Sequence, residues 1–84
     1  MKDLVSKVNA EEVIGLKKQR VRSEQEISSI RDRIRDIEWR IEGAGDHDTT
    51  DRMMDERQRA LDKLRATQVE LLTVRERLIE LGEE

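Results

Sequence analysis

Ile27, Ile30, Ile34, Ile37 and Ile41 recur at alternating spacings of three and four. That is the period of a coiled-coil seam. Stepping back from Ile27 at the same spacing lands on Ser23, Arg20, Leu16 and Val13, so the seam continues with two polar layers. One helix is predicted over 10–42. Asn9, with Glu12 three positions on, reads as a capping-box-like start. Residues 1–8 are then a separate N-terminal arm whose apolar members, Leu4, Val5 and Val8, lie off the seam. Gly15 falls inside the helix, where glycine costs up to ~1 kcal/mol relative to alanine.

The only cluster of helix breakers runs from Gly43 to Thr49. It predicts a turn over 43–49, with Gly43 suited to a C-cap and Thr49, Thr50 or Asp51 able to start the next helix. The second helix is expected over 50–81, stopped by Gly82, with a short tail at 83–84. Its seam is Met53, Arg57, Ala60, Leu64, Thr67, Leu71, Val74, Leu78 and Leu81. In an antiparallel hairpin, facing residues keep one constant sum of residue numbers. Ile41 with Met53, Ile37 with Arg57, Ile34 with Ala60, Ile30 with Leu64 and Ile27 with Thr67 all obey it. So do Ser23 with Leu71, Arg20 with Val74, Leu16 with Leu78, and Val13 with Leu81. The fold class expected is all-α, an antiparallel two-helix coiled-coil hairpin.

A second apolar set lies off the seam. With heptads lettered from Val13 at a, Ile14 and Val21 fall at b on the first helix. Leu72 and Ile79 fall at b on the second, with Leu61 at e and Val69 nearby. The e and b flanks of both helices lie on one side of an antiparallel hairpin. A helix buried on its seam alone does not need these residues, and chains of this size rarely stabilise one core by more than ~3–5 kcal/mol. Stacking two such faces into a four-helix bundle is the economical solution, so a homodimer is expected. Among the flanking charges, Arg40 is expected beside Glu56, whereas Glu26 would meet Glu70 and Arg33 would meet Lys63, two like-charge contacts.

Composition narrows the classes. The chain has 84 residues, 44% of them charged, a formal net charge of -3, and no Pro, Cys, Phe or Tyr. Charge at that level without apolar patterning gives disorder; with it, a long helix or coiled coil. No apolar run approaches the ~18 residues of a membrane span, and the start carries acids with no long apolar core, unlike a secretory signal. A cytoplasmic protein without membrane contact is expected.

Little here suggests chemistry. His47 sits among Asp46, Asp48 and Asp51, a set that reads as a solvated turn with capping acids; no metal or cofactor is expected. Lys17, Lys18, Arg20 and Arg22 form the densest basic run, but Glu11, Glu12, Glu24 and Glu26 bracket it and no aromatic residue is interleaved, so nucleic acid is not the expected partner. Arg20, Ser23 and Arg57 are polar layers on the seam, of a kind that fixes register and oligomeric state. Trp39 falls at f, facing outward near the turn, and is the expected contact residue for a protein partner. A lone His without Cys or a phosphate-binding glycine loop leaves no catalytic constellation, so no enzyme is expected.

Two helices, a short turn and dimerisation resemble the small plasmid RNA-binding Rop proteins in plan, with no diagnostic motif shared. That resemblance implies the alternative reading, a nucleic-acid-binding regulator. The reading preferred on the residues is a non-enzymatic interaction module built on a self-associating helical hairpin and serving as an assembly, adaptor or inhibitory factor.

Overall fold

The computed structural model describes the backbone of residues 2–83 and the side chains of residues 9–83. Two helices, α1 (Lys2–Gly43) and α2 (His47–Glu80), pack against each other as a rod 67 × 15 × 14 Å. Every predicted seam position on both helices is buried or half-buried. Two core clusters hold members of the predicted facing pairs together. Val13, Val74 and Leu78 pack with Leu16 and Leu81 at the open end. Ile30, Ile34 and Ala60 pack with Leu61 and Leu64 toward the loop. Leu78 is fully buried. Between the clusters the seam turns polar, with Ser23 and Thr67 buried. The Thr67 hydroxyl donates to the Lys63 carbonyl at 2.9 Å, one helical turn back, so it needs no partner across the seam.

The first helix begins earlier than the sequence predicts. Asn9 is not an N-cap: α1 runs through it from Lys2, so residues 2–8 of the arm expected at 1–8 are backbone-continuous with the helix, and Met1 lies outside the described residues. The roles expected for Leu4, Val5 and Val8 lie outside the residues whose side chains are described. The physical reason is that nothing between Lys2 and Asn9 breaks a helix. Extending an existing helix adds one hydrogen bond per residue, and an exposed Asn costs only ~0.7 kcal/mol or less inside it. With Val13 opposite Leu81, the first turns of α1 run past the end of α2.

The turn is also shorter than predicted. Only residues 44–46 are non-helical. Gly43 is the last residue of α1 and has no positive φ. Asp46, not Thr49, Thr50 or Asp51, is the N-cap of α2. Its carboxylate accepts from the Asp48 N–H at 3.1 Å and from the Thr49 hydroxyl at 2.9 Å, while the Thr50 hydroxyl donates to the Asp46 carbonyl. An Asp there satisfies orphan N–H groups and places negative charge at the positive end of the helix. The glycine stop at the far end is as expected. Gly82 has φ 78°, its N–H reaches the Ile79 carbonyl, and the Glu83 N–H reaches the Leu78 carbonyl at 2.9 Å, a Schellman motif.

Candidate functional site

The two flanks of the seam are built differently. On the g flank, side chains bridge the helices at heptad intervals. Arg77 Nε donates to Glu12 at 2.7 Å, Gln19 donates to Glu70 at 3.2 Å, Lys63 lies 3.5 Å from Glu26, and Arg33 lies 3.1 Å from Glu56. These contacts correct the expected flank pairing. Each g residue has two candidate neighbours on the other helix, one heptad apart. Opposite charge selects the one that the seam geometry alone did not. Glu26 takes Lys63 rather than Glu70, Arg33 takes Glu56 rather than Lys63, and Arg40 turns back to Asp36 on its own helix at 3.1 Å. Each member of the expected like-charge contacts thus has an opposite or polar partner across the seam: Glu26 with Lys63, Arg33 with Glu56, and Glu70 with Gln19.

The other flank carries the aliphatic set. Ile14, Val21, Leu72 and Ile79 are exposed, at 55%, 46%, 57% and 57%. Val69, on the outer back of α2, is exposed as well. Their positions follow from the heptad: b lies on the shoulder of the helix, beyond the reach of the other strand of the hairpin. Leu61 does not belong with them. It is half-buried and packs on the Ile30–Ile34–Ala60 cluster, because e lies beside the seam and the small Ala60 leaves room. Between the two b rows stand long polar side chains. Lys17 reaches Glu83 at 3.2 Å near the open end, and Glu38 accepts from Arg57 Nε at 3.2 Å toward the loop. The Arg57 layer is thus answered from the e position of the opposite helix. Arg20 is half-buried on the seam.

The remaining candidates separate. Trp39 is the most exposed large hydrophobic side chain among the described residues, at 73%. It borders a shallow groove at the loop end with Gly43, Ala44, Thr49 and the half-buried Met53. Of the basic run, Lys17, Lys18 and Arg22 border one shallow surface groove with Val21 and Gln25, while Arg20 turns to the seam. The Asp46 carboxylate is engaged in capping, and among the described residues no group of three or more His, Cys, Asp or Glu side chains stands together to hold a metal. Among them, too, no helix is long and apolar enough to cross a membrane. Sequence reasoning missed the g-flank ladder, although its signal, opposite charges at g on the two helices, is legible in the chain.

No known family matches this sequence, and no curated protein and no solved structure gives a match.

Proposed function

We propose that this chain is a non-enzymatic protein–protein interaction module that self-associates through its e/b flank and acts as an assembly, adaptor or inhibitory factor. The observation that carries the reading is the exposed row of Ile14, Val21, Leu72 and Ile79, all in the half of the hairpin away from the loop. Burying one such side chain fully is worth about 1.5–3 kcal/mol before the costs of association. The surface of the rod supports the same reading. It exposes 6834 Å², where a compact monomer of 9.9 kDa exposes about 5,200 Å². Stacking two hairpins into a four-helix bundle removes surface of that kind from water. Trp39, at the other end and outside this row, is the contact proposed for a different protein.

Sedimentation equilibrium over a wide concentration range tests the reading. The wild type is expected to pass from monomer to dimer, and Val21→Glu with Leu72→Glu to remain monomeric while still helical, since an unpaired buried charge is expensive. A folded wild type that stays monomeric throughout would remove self-association from the proposal.

A further inference from the structure

We infer that the second copy on the e/b flank lies in the same direction as the first, α1 against the α2 of the copy, with both loops at one end. The inference rests on the self-association proposed above and adds its geometry. The apolar rows are at matching heights along the rod: Ile14 is level with Ile79, and Val21 with Leu72, in the hairpin register set by the two core clusters. Two copies meeting face to face about a two-fold axis in their interface have two ways to join these rows. In the same direction, Ile14 meets Ile79 of the copy and Val21 meets Leu72. In the opposite direction, Ile14 meets Val21 of the copy along α1, and Leu72 meets Ile79 along α2. Both bury the same four side chains from each chain, so apolar area does not choose between them.

The charges do. Lys17 and Lys18 stand between Ile14 and Val21. The opposite arrangement puts its axis there, so Lys17 faces Lys18 of the copy, twice by symmetry, and Glu24 faces Glu11. In the register of the apolar rows, the same-direction arrangement sets Lys17 level with Glu76 of the copy and Lys18 level with Arg75, each twice, whereas the opposite one sets Arg75 against Glu76 along α2. The opposite arrangement thus makes two kinds of like-charge contact for one attractive kind, and the same-direction arrangement makes one of each. Like charges juxtaposed at an interface count against a binding mode, and opposite charges fix register, so the balance favours the same direction. Lys17, which also reaches Glu83 of its own chain, is the cation level with Glu76 of the copy. Its aliphatic stem covers the edge of the Val21 contact while the ammonium stays in water. One consequence is that both exposed Trp39 side chains come to the same end of the bundle and offer a partner two sites at once.

The chain has no cysteine, so a single Gly45→Cys gives one spin label per loop. A Cβ at Gly45 meets nothing, and its φ is not positive. With loops together, interaxial distances of 8–10 Å place the labels about 20–30 Å apart. With loops apart, ~27 residues on each side of the axis at ~1.5 Å per residue place them about 80 Å apart. Lys17→Glu is expected to weaken dimerisation several-fold, and Lys17→Glu with Glu76→Lys to restore it; in the opposite arrangement Lys17→Glu alone would meet Lys18 of the copy and tighten the dimer. Short label distances with rescue by the double variant support the inference. A dimer with tips about 80 Å apart, tightened by Lys17→Glu, overturns the direction alone. A wild type monomeric at every concentration overturns the self-association as well.

Discussion

The g flank and the e/b flank border the same seam, yet they present opposite surfaces. The g flank is bridged at four successive heptads by Glu12–Arg77, Gln19–Glu70, Glu26–Lys63 and Arg33–Glu56. On the e/b flank Lys17–Glu83 and Arg57–Glu38 are bridged near the ends, and four large aliphatic side chains stand in water in the open half. Exposed ion pairs add little to stability, ~0.2–1 kcal/mol each, but they satisfy a surface that water is meant to touch. Aliphatic side chains at b satisfy nothing until something covers them. The difference teaches that one side of the hairpin is laced by polar bridges while the other keeps an apolar row exposed, the row on which the proposed self-association rests.

Both flanks depend on the seam, and removing it should show the largest effect. Leu78→Ala empties the one fully buried large side chain among the described residues, in the open-end cluster with Val13 and Val74. A loss of about 2–5 kcal/mol is expected, read as a fall of tens of degrees in the thermal midpoint by circular dichroism. A loss below ~1 kcal/mol, within the range of surface substitutions, would mean that the open end is not packed in solution and that the b row has no firm base.

A smaller effect separates the flanks. Glu56→Lys sets a second cation against Arg33, which now lies 3.1 Å from the carboxylate. The expected loss is about 0.5–1 kcal/mol, the same at every protein concentration and reduced by salt. The Val21→Glu, Leu72→Glu pair should behave in the reverse way, costing stability only at concentrations where the wild type is dimeric. Identical concentration dependence for the two variants would erase the distinction between a bridged and an apolar flank.

The seam was legible because it is written redundantly. Apolar spacing, loop position and the glycine stop at Gly82 all agree on one register, and each additional layer repeats the information. Ile14, Val21, Leu72 and Ile79 were legible as off-seam for the same reason. The start of α1 was not, because Asn9 and Glu12 make a capping signal that is real only if the chain before it leaves the helix, and Lys2 to Val8 give it no reason to leave. The loop was misjudged since Gly43 tolerates helical backbone as well as a left-handed cap, and Asp46 competes with Thr49 and Thr50 for the same orphan N–H groups. Flank pairing failed for a different reason: seam geometry leaves each g residue two neighbours a heptad apart, and only charge decides between them. Leu61 was placed by letter, whereas its burial depends on the size of Ala60 beside it.

The smallest expected effect is a dependence on pH at the open-end rung of the g ladder. Arg77 donates to both Glu12 oxygens, Nε at 2.7 Å and NH2 at 3.4 Å, and also to Glu80 at 2.9 Å. The hydrogen bond from Arg77 is the main cause that holds the Glu12 carboxyl below its ordinary value of 4.5; desolvation opposes it, and the guanidinium charge adds a smaller pull in the same direction as the hydrogen bond. Arg77 itself is pushed further up and stays charged throughout. A carboxyl whose pKa is lower folded than unfolded binds fewer protons in the native state. Its contribution to stability is therefore complete above the ordinary value and is lost as pH falls through the depressed one. Thermal midpoints of the wild type and Glu12→Gln should thus differ by a constant amount from neutral pH down to about one unit above 4.5, and converge on further acidification. In an Arg77→Met background the convergence should vanish, because the cause of the shift is gone. A gap that stays constant to the lowest pH, or that widens, would show that Glu12 and Arg77 do not meet in solution, and that the g flank is held by its inner rungs alone.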